Sequence, residues 1–146
     1  MRAALVRLCR GRKGRTLVFA NSVARANGAL RLLRSEGVGD DGEVLAFHPD
    51  VPPPVREAAL ASFASSSRGV LVCSGLAARG IDLPNVALVV EYQLAPHLVE
   101  HVHRVGRTAR AGREGQAISL VNAQSESEVA LVKEVQRCAR GGWKYL

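Results

Sequence analysis

The segment "HVHRVGRTARAGREG", residues 101 to 115, carries arginines at 104, 107, 110 and 113, one every third residue. A guanidinium is a permanently charged planar fork of N–H donors, a shape matched to phosphate oxygens. At about 100° per residue, a helix over 98–110 gathers Leu98, Val102, Val105 and Ala109 into one apolar stripe. His103, Arg104, Arg107 and Arg110 fall on the opposite side. The stripe is expected to dock the helix on a sheet, with the arginine face turned away from the core. That face is expected to lack acids in i,i+4 register. Gly106, inside the helix, costs about 1 kcal/mol against alanine and leaves room for close approach by another body. A solvated basic face is the plainer reading. Phosphate binding is the chemistry the residue types favour.

The elements around this segment alternate. "RAALVRLC" predicts a short amphipathic helix and "RTLVFA", 15 to 20, a buried strand. Ser22 caps a helix running to about Glu36, with Val23, Ala26, Leu30 and Leu33 on one face and Gly37 at its end. "EVLAFH", "GVLVCS", "VALVVEY" and "GQAISLVN" read as strands. "VREAALASFAS" is a helix pointing Val55, Ala59 and Phe63 inward, "PHLVEHVHRVGRTAR" a helix, and "SESEVALVKEVQRCAR" a closing helix. Such alternation predicts a parallel α/β sheet with helices on both faces. One domain over 1–140 with a tail over 141–146 is expected, and the tail holds Trp143 and Tyr145. Ligands of such sheets bind where loops leave the carboxyl ends of strands, here after Phe19, Phe47, Val72, Val90 and Val121.

Two glycine patterns mislead. "GVGDDG" places Gly37, Gly39 and Gly42 at G-x-G-x-x-G spacing, but a helix precedes it and a strand follows, the reverse of the dinucleotide order. Asp40 and Asp41 would also repel a pyrophosphate. "KGRT", 13 to 16, has arginine where a phosphate loop needs lysine, and a strand follows it. The chain therefore carries no recognisable nucleotide cradle of its own.

Composition narrows the partners. The 146 residues carry a formal net charge of +7 and a pI near 10.2. That balance favours polyanions. Aromatics are only 4%, so stacking platforms for base-by-base reading are lacking. No apolar run is long enough to span a membrane, and no membrane partner is expected. Cys9, Cys73 and Cys138 fit neither a disulfide framework nor a zinc site. Free thiols in a reducing intracellular compartment are expected, and no metal site.

Four segments together resemble the second helicase domain of DEAD-box RNA helicases. "HRVGRTAR", 103 to 110, resembles the HRxGRxxR signature. "LVCSGLAARGIDLPNV", 71 to 86, resembles the (V)ATDxAARGxDxPxV segment. "TLVFANS", 16 to 22, resembles the strand that opens that domain, and "FHPDVPPPVREAALASF", 47 to 63, the H-G-x-x-x-Q-x-x-R-x-x-x-L-x-x-F stretch. Order and spacing agree over roughly 2 to 140.

The resemblance implies a RecA-like parallel sheet and a role as one half of an ATP-dependent RNA helicase. ATP and Mg²⁺ would be bound mainly by an N-terminal RecA-like domain that this chain lacks, so the chain alone should be inactive. Arg107 and Arg110 align with the arginines that reach the γ-phosphate. Gly80 and Asp82 align with the nucleotide-side loop, and His103 and Arg104 with positions contacting the first domain. Arg56, Ser74, Gly75, Ser22 and Arg79 align with or neighbour the RNA-binding positions. A truncated, non-catalytic RNA-binding module is the alternative. The partners implied are RNA, the N-terminal domain of the same or another chain, and ribosomal or other RNP assemblies. The nucleus, nucleolus or mitochondrion is favoured over the cytosol.

The chain departs from the family pattern at several positions. The acid after the family threonine is Gly75, the Q-x-x-R glutamine is Pro53, the glycine after His48 is Pro49, and Ala109 replaces a signature glycine. Gly75 and Pro53 would weaken the RNA side. The family domain opens with a strand before the "LVRLC" helix, so a fragment whose sheet lacks its usual first strand is expected.

Overall fold

The computed structural model describes residues 1–39, 43–75, 83, 85–110 and 112–140. Helices and strands alternate along α1 (Arg2–Cys9), β1 (Arg15–Ala20), α2 (Val23–Ser35), β2 (Val44–Phe47), α3 (Pro53–Ser65), β3 (Gly69–Ser74), β4 (Val86–Glu91), α4 (Leu98–Val105), β5 (Gln116–Ser119) and α5 (Glu126–Arg140). Among the described residues, five strands pair in the order β2-β3-β1-β4-β5, and each of these pairings is parallel. The described chain opens on α1, not on a strand.

The central strand β1 is buried along its whole length. A strand covered on both faces reads as a continuous apolar run, as "TLVFA" does. One face of the sheet, carrying Val18, Ala20, Val72 and Val90, packs with Leu5 of α1 and Ala26, Ala29 and Leu33 of α2. The other, carrying Leu17, Phe19, Leu71 and Val89, packs with Phe63 of α3. Ala59 and Phe63 point inward as expected. Val55 does not: it is 55% exposed. Prolines at the first positions of α3 start the helix two residues early, and Val55 then falls in its solvent-facing first turn.

Ser22 caps α2 by accepting a hydrogen bond from the Arg25 amide at 3.2 Å. Gly37, at φ 66°, ends it, with the Val38 amide donating back to the Leu33 carbonyl at 2.9 Å. Only glycine adopts that left-handed geometry without a steric penalty. The three cysteines are free. Burial pushes the Cys73 thiol up to about 12. Burial also pushes Cys9 up to about 12, against the opposing pull of Arg12. Thiols so held are inert at neutral pH. No described helix is long and apolar enough to cross a membrane. Residues 40–42, which hold Asp40, Asp41 and Gly42, and the tail 141–146 lie outside the described residues.

Candidate functional site

The arginine segment is not one helix. α4 ends at Val105 with Gly106 as its cap. Beyond it the amides of Arg107 and Thr108 donate three residues back, to the Arg104 and Val105 carbonyls at 3.1 and 3.3 Å. The Thr108 hydroxyl donates to the Val86 carbonyl at 2.6 Å, which pins the turn to the start of β4. Ala109 then takes φ 54° and reverses the chain. The expected helix to Arg110 fails because a buried threonine bond and a left-handed residue outweigh the local preference for helix.

Where the helix stops decides how far each arginine is buried. Arg104 is 2% exposed, Arg107 half-buried and Arg110 exposed. The expectation that the arginine face turns from the core is therefore corrected for Arg104. The buried residues of α4 are Glu100, His101 and Arg104, whereas Leu98, Val102 and Val105 are only half-buried and Ala109 is exposed.

The reason lies in Glu91, at the end of β4, which is 0% exposed. Its carboxylate takes the Ala95 amide at 3.2 Å, His101 Nδ1 at 2.8 Å and the Ser119 hydroxyl at 2.5 Å. Arg104 Nη1 approaches Glu91 at 3.5 Å and donates to the Gln93 carbonyl at 3.0 Å. Arg104 Nη2 donates to Asn21 Oδ1 at 2.8 Å and to Glu100 Oε1 at 2.6 Å. The guanidinium also lies 5.5 Å from the centre of the Phe19 ring. A buried charge persists when it is paired and hydrogen-bonded; of the Arg104 nitrogens, Nε alone has no partner among the described residues. Glu100 is the i,i+4 acid that the arginine face was expected to lack. Sequence reasoning missed Glu91. Its signal was a single carboxylate closing the apolar run "VALVV" just before a carboxyl-end loop.

The candidate residues fall into two groups. Ser22, Ser74 and Gly75 gather at the carboxyl ends of β1 and β3, where Ala20 and Ser74 are paired. Ser22 is exposed, whereas Ser74 is 4% exposed. Arg56 is half-buried, 6.0 Å from the centre of the Phe47 ring. In the second group, Arg107, Arg110 and Arg113 border a cleft of about 140 Å³ with Asn85 and Thr108. The Arg110 Nε–H donates to the Gly106 carbonyl at 2.5 Å. His103 is exposed on α4. Arg79, Gly80 and Asp82 lie outside the described residues.

Guanidinium groups beside a backbone turn suit phosphate oxygens. Among the described residues no group of His, Cys, Asp and Glu is placed to hold a metal ion.

The sequence and the fold both have relatives among known proteins. The model of the helicase conserved C-terminal domain matches residues 1–112. An ATP-dependent RNA helicase, dbp8 of Emericella nidulans, is 41% identical over 118 residues, covering 81% of this chain and 22% of that protein. The ATP-dependent rRNA helicase RRP3 of Pyricularia oryzae is 36% identical over 129 residues, covering 88% of this chain and 23% of that protein. The chain thus spans about a fifth of the length of these curated relatives. Domain 2 of the Mss116p DEAD-box helicase, solved bound to an RNA duplex, superposes with a TM-score of 0.80 at 28% identity, covering 94% of this chain and 54% of that one.

Proposed function

The chain belongs to the helicase conserved C-terminal domain family, in its DEAD-box RNA helicase branch, and on that premise we propose that it is the second RecA-like half of an enzyme that couples ATP hydrolysis to RNA unwinding or RNP remodelling. The observation that carries this reading is the turn after α4. Arg107 and Arg110 stand on a backbone reversal fixed by Thr108 and bordered by Asn85. Fixed guanidinium groups stabilise charge on a transferring phosphoryl group without reorganising as it develops. Arg107 and Arg110 would meet the γ-phosphate, with Gly80 and Asp82 approaching the nucleotide from the preceding loop. ATP would supply the phosphoryl group, and Mg²⁺ held by the N-terminal domain would neutralise its charge. Alone, this chain would not turn ATP over.

RNA would lie across the carboxyl ends of β1, β2 and β3. Exposed Ser22 and half-buried Arg56 are the stronger contacts, joined by Arg79, while buried Ser74 and side-chain-free Gly75 line the same edge. Contacts of this kind reach phosphate and 2′-hydroxyl groups and read little sequence. His103, exposed, would face the N-terminal domain. Arg104, enclosed within this domain, would act on that contact only by holding α4. The net charge of +7 suits structured RNA such as ribosomal RNA, the substrate that the name of the Pyricularia relative carries. A nucleolar or mitochondrial location is in keeping with that substrate.

The test is turnover of ATP by this chain mixed with a separately made first domain of a DEAD-box helicase, with and without single-stranded RNA. RNA-dependent turnover is expected. A silent mixture whose C-terminal half still binds RNA would instead favour a non-catalytic RNA-binding module.

A further inference from the structure

Gly75 closely borders the Arg104–Glu100 pair and brings no side chain to it. A Cβ placed on it would lie 2.8 Å from Arg104 Nη2 and closer still to Glu100 Oε1. Neither neighbour can give way cheaply. Arg104 is held by Gln93 and Asn21, and Glu100 is 9% exposed. The carboxylate of Glu100 therefore fills the space that a side chain at 75 would enter. The resemblance expects an acid at 75, and here an acid reaches the same spot from α4.

We propose that Glu100 is the positioning residue for Arg104, placing from the helix the carboxylate that Gly75 leaves out of the β3 loop. Arg104 in turn joins α4 to the exits of β1, through Asn21, and of β4, through Gln93 and Glu91. Glu100 so fixes where α4 sits, and with it the turn that carries Arg107 and Arg110. That consequence for turnover rests on the function proposed above. The geometry of the pair does not.

The arrangement makes positions 75 and 100 interdependent. Glu100→Ala removes one partner of a buried charge and should lower Tm by about 10 °C. Gly75→Asp should also lower Tm, because it drives a second carboxylate into an occupied space. In the double variant the two changes should compensate, since the introduced aspartate would face Arg104 across the space that Glu100 vacates. Glu100→Ser vacates the same space while keeping a small polar group. It is the partner for Gly75→Asp if Glu100→Ala does not fold.

The experiment measures thermal unfolding of the chain and ATP turnover with the first domain for wild type, both single variants and the double. The expected result is a double variant that melts above either single one. In turnover, Glu100→Ala should reduce kcat roughly 10- to 100-fold at unchanged KM for ATP, as misplacement by about 1 Å does. Gly75→Asp should restore most of it. Additive losses in Tm would overturn the proposal. So would a compensated Tm in a Glu100→Ala protein of undiminished kcat, because the pair would then be structural only. If wild type shows no turnover, the proposed function fails, and the melting series alone decides whether Glu100 and Gly75 share one space.

Discussion

The last turn of α4 and the reversal just beyond it hold the same residue type in opposite surroundings. Within the helix, Arg104 is 2% exposed and surrounded by Glu91, Glu100, Asn21 and the Gln93 carbonyl. Just past the helix end, exposed Arg110 and half-buried Arg107 stand on a turn beside an open cleft. Between them lies Gly106, where the helix stops. A guanidinium enclosed with carboxylates joins elements of the fold. One presented on a rigid turn can meet a ligand. What separates the two settings is the point at which the backbone leaves the helix, not the three-residue spacing.

Substitutions in the two regions should therefore fail differently. The largest effect is expected for Arg110→Ala, a loss of about 10³-fold or more in RNA-dependent kcat with Tm nearly unchanged. Steady-state turnover with the first domain reads the first value and a melt of the same preparation the second. Arg104→Ala should instead cost about 3–5 kcal/mol of stability, because Glu91 and Glu100 would remain buried with one counter-charge fewer. Urea unfolding measures it.

A smaller effect sharpens the account of the turn itself. Ala109 holds φ 54°, a conformation costing an L-residue about 1–2 kcal/mol. Ala109→Gly should raise stability by about 1 kcal/mol, and a fall in Tm would show that the turn is not strained there.

The smallest effect lies away from both regions. His48 is 3% exposed, donor or acceptor to Asn27 at 3.0 Å, and its Nδ1 has no partner among the described residues. Burial lowers its pKa below 6.5, Asp50 opposes that and Arg56 adds to it. The unfolded chain then takes up the proton first as pH falls. Stability should be level above about pH 6.5 and decline below it, until the folded state also protonates. His48→Gln should flatten that limb in unfolding curves taken across pH.

Much of the fold was legible from periodicity because each element solves a local problem. "TLVFA" and "GVLVCS" are apolar, partly β-branched runs closed by polar or small residues, and both form strands with the expected ends. Ser22 and Gly37 bracket α2 through caps that their own side chain or φ makes possible. What was not legible depends on partners distant in sequence. Arg104 is buried because Glu91, 13 residues earlier, ends a strand beneath it, and a helical wheel contains no such term. The turn at Thr108 depends on the Val86 carbonyl, 22 residues away. Within the candidate site, residue types pointed to phosphate chemistry and the resemblance set Arg104 apart from Arg107 and Arg110, but only the tertiary structure showed that Arg104 is buried.

The most direct test of that separation measures kcat and Tm together for Arg104→Ala and Arg110→Ala. The account expects a crossed pattern, with Arg110→Ala melting like wild type and catalytically silent, and Arg104→Ala melting far lower. If Arg110→Ala retained full RNA-dependent turnover, or if the two variants lost stability equally, the division of the arginine segment into a buried anchor and a phosphate-facing turn would be contradicted.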